Sequence, residues 1–89
     1  MTVEFLLGLL AAQQGRCALS GDELTFKKTN KQYKKTMTNA SIDRINSGIH
    51  YTKDNIRLVT AQVNYMKHAM TDDEFYRLCQ AINSGRPSL

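Results

Sequence analysis

The stretch SIDRINSGIHYTKDNIRLVTAQVNYMK, residues 41–67, constrains the fold more than any other part of the chain. Two short segments within it, Ser41–Ile45 and Asn55–Val59, have the composition of strands, and the residues between them are rich in Asn, Ser and Gly, which are typical of a loop. A helix is predicted to begin near Thr60 and to run to about Ala69. The stretch therefore predicts a strand, a loop, a second strand and a helix that fold back on one another.

Three polar residues stand out in this stretch, because apolar neighbours fix where they point. Asp43 lies in the first predicted strand, Asn55 begins the second, and Asn64 lies in the predicted helix. Asp43 and Asn64 each offer a hard oxygen, which is the ligand type that Mg²⁺ and similar cations prefer. Since the chain folds back between them, these oxygens, 21 positions apart, can meet at one ion.

The N-terminal segment predicts a helix over about Val3–Gln14. Thr2 can cap it, apolar residues recur at helical spacing, and Gly15 can end it. Its apolar residues cover more than one face, so we expect burial within the domain, with contact to another subunit as the alternative.

The remaining elements predict a small α+β protein of one domain, residues 1–89. Arg16–Leu19 and Leu24–Lys27 are predicted to pair as a β-hairpin. Residues 28–40 predict an irregular or weakly β connection. The sequence Thr71-Asp72-Asp73-Glu74 is typical of a capping box and predicts a final helix over about Asp72–Asn83. Its predicted buried stripe is Phe75, Leu78, Cys79 and Ile82.

Charge is concentrated in one segment of this 89-residue chain, whose net charge is +4. Five lysines with no acid between them form a basic segment able to hold phosphates: Lys27, Lys28, Lys31, Lys34 and Lys35. Tyr33 lies among them, either as an ordinary surface tyrosine or as a residue that stacks on bases.

The two cysteines, Cys17 and Cys79, form no C-x-x-C pair, so we predict no structural zinc. Unpaired thiols suit a reducing cytoplasm. The apolar run Phe5–Ala12 is too short to span a bilayer, and Glu4 argues against a signal peptide, so a soluble intracellular protein is expected.

The ordered residues of the central stretch resemble the HNH (ββα-metal) endonucleases, especially small phage and bacterial members with Asp-Arg in place of Asp-His. The matching groups are Ser41-Ile42-Asp43-Arg44-Ile45, Tyr51-Thr52, Asn55-Ile56 and Asn64-Tyr65-Met66-Lys67. Upstream, residues 15–21 (GRCALSG) resemble the G-x-C-x-x-[ST]-G turn that often precedes the motif. The resemblance covers about residues 14–82, with the ββα-metal core at about 41–69.

The resemblance implies a role for each motif residue. Asp43 and Asn64 would hold one Mg²⁺ or Mn²⁺ ion, and Asn55 would tie the loop together and orient the catalytic base. Lys67 would contact a phosphate, with an ordinary solvated helix lysine as the alternative.

Arg44 departs from the best-known members, where a histidine removes a proton from water. Arginine stays protonated, so Arg44 would instead hold the scissile phosphate or stabilise its charge in the transition state. His50, in the loop, can act as a base near neutral pH, although a surface histidine is the alternative. Tyr51, Tyr33 and metal-bound water remain open as bases, and His68 is expected to face solvent or DNA.

The resemblance implies a divalent-metal-dependent endonuclease that hydrolyses phosphodiester bonds of duplex DNA, in the cytoplasm of a bacterium or of a phage-infected host cell. A chain of this size offers few elements that could read DNA bases. Specificity for a DNA sequence would therefore need a homodimer or a larger nuclease or packaging complex. Two alternatives stay open. One is a catalytically inactive HNH-fold DNA-binding module, and the other is a protein–protein regulator that docks through the first helix.

Overall fold

The computed structural model describes residues 2–28 and 36–87 and confirms an α+β fold. Its elements, in chain order, are helix α1 (Val3–Ala12), strands β1 (Ala40–Arg44) and β2 (Ile56–Thr60), and helices α2 (Ala61–Lys67) and α3 (Asp72–Ser84). The strand, loop, strand and helix predicted from the central stretch therefore form in that order. Each strand boundary differs from the predicted one by one residue.

The two strands form an antiparallel ribbon in which Ile42 lies opposite Leu58 and Asp43 lies opposite Arg57. Side chains alternate between the faces of such a ribbon. The face that carries Ile42 and Leu58 packs against α1, whereas the face that carries Asp43 and Arg57 contacts α2 and α3. This alternation decides which polar side chains can meet.

Helix α1 begins where the sequence predicts, because the Thr2 hydroxyl accepts a hydrogen bond of 3.1 Å from the Phe5 N–H. The helix ends at Ala12, and Gly15 supports the turn that follows with a φ of +70°. The expectation that α1 is buried within the domain is met only in part, because Leu6, Leu9 and Leu10 pack half-buried against the core. No residue of α1 is fully buried, and Leu7 is 58% exposed. A two-stranded ribbon is too narrow to cover a helix with apolar residues on several sides.

The predicted hairpin before the motif forms only in a reduced form. Arg16 and Glu23 make a single antiparallel bridge, and the Cys17 N–H donates to the Asp22 carbonyl at 2.7 Å. Neither segment extends into a strand, because the chain turns to cover the outer edge of β2, where the Ala18 N–H donates to the Leu58 carbonyl at 3.0 Å.

The core lies between this turn, the ribbon and the three helices, with α1 on one face of the ribbon and α2 and α3 on the other. Its buried apolar residues are Cys17, Leu24, Leu58, Val59, Val63 and Phe75. Thr60, also buried, caps α2 by accepting a hydrogen bond from the Val63 N–H. The ribbon and α2 are therefore fixed to one another at the residue where they join.

Helix α3 begins with the predicted capping box, in which the Thr71 hydroxyl accepts from the Glu74 N–H and Glu74 accepts from the Thr71 N–H. Of its predicted buried stripe only Phe75 is buried, and Cys79 is half-buried. The prediction is wrong for Leu78 and Ile82, which are 46% and 60% exposed. The helix is longer than the core it packs on. Within the described residues, no helix has the length and apolar character needed to cross a membrane.

Candidate metal and nucleic-acid site

Asp43 is a buried carboxylate at the end of the ribbon, with 4% of its surface exposed. Arg57, its cross-strand neighbour, donates through Nε to Asp43 Oδ2 at 3.0 Å. Lys67, in the last turn of α2, places Nζ at 3.2 Å from Oδ2 and 3.5 Å from Oδ1. Oδ2 is thus held by two cations, and Oδ1 has only the longer contact.

Lys67 is buried to 1% exposure, which contradicts the expectation of a solvated lysine or a direct phosphate contact. Its ammonium reaches three acceptors: Asp43, the Arg44 carbonyl at 3.4 Å, and Asp72 Oδ1 at 3.2 Å. A buried ammonium must be paired to offset its lost hydration. These contacts supply that pairing, so Lys67 belongs to the interior of the site.

Asp72, the first residue of α3, completes an ion-pair cluster that consists of Asp43, Arg57, Lys67 and Asp72. Both Nη atoms of Arg57 donate to the Asp72 carboxylate, with Nη1 at 2.9 Å from Oδ2. Hydrogen bonding from Arg57 holds the pKa of Asp72 below its ordinary value, and the Lys67 ammonium lowers it further. The same bond to Asp72 raises the pKa of Arg57. Two carboxylates and two cations balance one another in the cluster.

Asn64 lies one helical turn before Lys67, on the same side of α2. Its Nδ2 donates to Ser41 Oγ at 2.8 Å, and Ser41 shares a strand face with Asp43. Because the amide nitrogen is used by Ser41, the oxygen Oδ1 is the atom of Asn64 that remains available as an acceptor. The fold therefore brings the strand and helix residues predicted to bind a metal onto one face of the ribbon.

This donor set suits one hard divalent cation in kind. Asp43 Oδ1 and Asn64 Oδ1 are hard oxygens, and each side chain has its other polar atom fixed by a hydrogen bond, as is usual around metal ligands. The Lys67 ammonium and the Arg57 guanidinium would repel a further cation. Their positive charge must therefore be balanced by carboxylates if an ion is to bind beside them. Among the described residues, no three His, Cys, Asp or Glu side chains cluster as a metal site.

Asn55 is buried and closes the loop between the strands. Its Oδ1 accepts from the Asn46 N–H at 2.8 Å, and its Nδ2 donates to the carbonyls of Asn46, Ile49 and His50 at 3.0–3.2 Å. One side chain thus satisfies four backbone groups of the loop. This arrangement agrees with the loop-tying role predicted for Asn55.

Arg44 is directed away from Asp43, because the two are consecutive in a strand. It lies 5.1 Å from the centroid of the Tyr51 ring and donates through Nη1 to the Ile49 carbonyl at 3.3 Å. A cation over an aromatic ring is stabilised by the ring's electrons. Arg44 therefore anchors the loop, and the structure does not bring it to the face of Asp43 and Asn64.

An open groove of about 320 Å³ lies beside Asn64 and is lined by Ser41, Ala61, Asn64, Tyr65 and His68. His68 ends α2 with a φ of +48°, a left-handed conformation that costs a residue other than glycine about 1–3 kcal/mol. His50 is exposed in the loop and does not line the groove. The histidine that lines the groove with Asn64 is thus His68, a position to which the HNH motif assigns no catalytic base.

Of the predicted phosphate-binding lysines, Lys27 and Lys28 are exposed, as that role requires. The chain is fixed at this point, since Asn39 accepts from the Lys27 N–H at 3.0 Å and donates to the Lys27 carbonyl at 2.8 Å. Lys31, Tyr33, Lys34 and Lys35 lie outside the described residues.

Sequence reasoning missed two members of the ion-pair cluster, Arg57 and Asp72. The antiparallel register that places Arg57 opposite Asp43 was a usable signal, whereas the capping box gave Asp72 an ordinary explanation. No protein-family model, no curated protein and no solved structure matches this chain.

Proposed function

We propose that this protein is a divalent-metal-dependent endonuclease of the HNH type that hydrolyses phosphodiester bonds of duplex DNA. The observation that carries the proposal is the ββα arrangement around Asp43 and Asn64. Lys67 contacts Asp43 and Asn64 contacts Ser41, so helix α2 lies along β1 with both oxygen donors on one face. The choice of reaction, phosphodiester hydrolysis, rests on the HNH resemblance of residues 41–67. The positions and spacing of the residues alone would not indicate it.

In this proposal Asp43 and Asn64 hold the ion, and Arg57 and Lys67 fix the carboxylate that faces it. A divalent cation at these oxygens would stabilise negative charge on the phosphate and on the leaving oxygen. His68 lies in the adjoining groove, where it can take a proton from water or give one to the leaving group. Asn55 and Arg44 act on the loop rather than on the reacting atoms.

Exposed lysines would hold the DNA backbone beside this groove. Lys27 and Lys28 begin the basic segment 27–35, and the lysine contacts would be electrostatic and independent of base sequence. Binding is therefore expected to weaken as salt concentration rises. Little sequence preference is expected from the chain alone.

The test is nicking of supercoiled plasmid by the purified protein in Mg²⁺, Mn²⁺ or EDTA. Asp43→Asn keeps the shape of the side chain but removes its charge, and Asp54→Asn makes the same change at an exposed loop residue. We expect nicking with either metal and none in EDTA. Asp43→Asn should lower the rate roughly 100-fold or more, because it removes a group that holds the charge-stabilising ion.

A folded protein that shifts DNA in a gel but does not nick it in any metal would refute the nuclease. A second candidate function, a metal-independent DNA-binding module, would then take its place. One observation favours that candidate, since the Asp43 carboxylate already contacts two cations within the protein. For a binding module, DNA affinity should be insensitive to EDTA.

A further inference from the structure

The buried ammonium of Lys67 lies between two carboxylates that come from different parts of the fold. Its Nζ is 3.2 Å from Asp43 Oδ2 and 3.2 Å from Asp72 Oδ1. Arg57 makes the same link, with Nε on Asp43 and both Nη atoms on Asp72. Each cation that touches the proposed metal ligand is therefore shared with the first residue of α3.

This sharing determines the charge that a metal ion would meet. Without Asp72, a single carboxylate would face an ammonium and a guanidinium, and the site would carry a net positive charge. Burial makes this charge costly, since only 1% of Lys67 is exposed to solvent that could screen it. With Asp72 present, the cluster is neutral, and Arg57 is held with its Nη atoms directed away from Asp43.

We propose that Asp72 is a positioning residue for Asp43, which sets the cation affinity of Asp43 and Asn64 by holding Arg57 and Lys67. The inference rests on the proposed function, because it concerns the ion that the nuclease would use. It assigns α3 a part in the site that the strand–loop–strand–helix motif does not contain. Asp72 acts through two side chains and touches neither the ion nor the DNA.

The test measures Mn²⁺ affinity by electron paramagnetic resonance of free Mn²⁺, without DNA. Asp72→Asn should weaken binding about tenfold, the lower end of the effect of losing an outer-shell partner. Asp72→Glu, which keeps a carboxylate for Arg57, should restore most of the affinity. Asp73→Asn is the matched control, because Asp73 is exposed in the same first turn and has the same relation to the helix dipole.

Lys67→Met gives the decisive contrast. It removes one positive charge beside Asp43 and keeps the length of the side chain, so it should tighten Mn²⁺ binding, whereas Asp72→Asn weakens it. Both variants lose ion pairs and should unfold at lower temperature. A purely structural role of the cluster predicts that affinity falls with stability in both, which would overturn the inference.

The remaining outcomes are also distinct. If the wild-type protein binds Mn²⁺ and nicks DNA but Asp72→Asn binds Mn²⁺ as Asp73→Asn does, the inference fails and the proposed function stands. If the wild-type protein neither binds Mn²⁺ nor nicks DNA, both fail. Should Lys67→Met not fold, the comparison of the Asn and Glu variants at position 72 with Asp73→Asn still decides.

Discussion

The side-chain amide of Gln13 makes two hydrogen bonds with the main chain of Leu58, as a neighbouring strand would. Gln13 Nε2 donates to the Leu58 carbonyl at 2.8 Å, and Gln13 Oε1 accepts from the Leu58 N–H at 3.0 Å. An exposed strand edge presents unpaired backbone groups that can recruit other chains. Gln13 covers the outer edge of β2 with one side chain, at the point where α1 has just ended.

Replacing Gln13 by Ala should therefore destabilise the protein by about 1–2 kcal/mol, because the Leu58 N–H loses its acceptor and two further hydrogen bonds, to the carbonyls of Leu58 and Arg16, are lost. Gln80→Ala, at an exposed position of α3, should change stability by less than about 0.5 kcal/mol. Urea unfolding followed by circular dichroism measures both. Equal midpoints for the two variants would contradict the edge-covering role.

Asn55 is predicted to be the most sensitive residue of the loop. Asn55→Ala removes four hydrogen bonds to the loop backbone and leaves the Asn46 N–H without its acceptor, which should cost about 2–3 kcal/mol. Asn83→Ala, at an exposed position, is the control. Hydrogen exchange should show faster exchange of the Asn46 amide in Asn55→Ala, and unchanged protection there would disprove the loop-tying role.

His68 offers a test in which stability and activity move in opposite directions. Glycine adopts positive φ without strain, so His68→Gly should stabilise the fold by about 0.5–1 kcal/mol. If His68 transfers a proton in the groove, the same variant should nick DNA about 100-fold more slowly. His50→Ala, at an exposed loop histidine, is the comparison variant and should retain the rate.

Acid should weaken the ion-pair cluster through Asp72. Its folded-state pKa is lowered below the ordinary value of 3.8, first by hydrogen bonding from Arg57, so protonation disfavours the folded state. This stabilisation is fully present above about pH 4 and is lost as the pH falls through the lowered pKa. Thermal unfolding from pH 2 to 7 should therefore show Asp72→Asn less stable than Asp73→Asn above pH 4. The two should converge at the acid end, and a constant difference would contradict this origin.

Local signals in the sequence predict much of the fold. Thr2 caps α1 as expected, and the capping box of Thr71 and Glu74 begins α3, because both depend on residues within three positions of each other. Burial was harder to predict. The exposure of Leu78 depends on how far the core extends beneath α3, which helical periodicity does not contain.

In the site, too, local patterns could be predicted from the sequence, whereas long-range contacts could not. The order of the motif predicts that Asp43 and Asn64 share a face, and the strand alternation that directs Arg44 away was available in principle. Lys67 could not be predicted as buried, because its burial depends on Asp72, which the capping motif had already explained locally. Long-range charge pairing has no periodic signature in sequence.

The shared cations of Asp43 and Asp72 also limit how this protein can diverge. A single replacement at Lys67 or Asp72 leaves a charge without its partner, whereas replacing both by neutral residues of similar size keeps the balance. Related sequences should therefore change positions 67 and 72 together or not at all. Where both positions have changed, we expect that α3 no longer forms ion pairs with the residues beside Asp43. This can occur even in relatives that keep every residue of the motif itself.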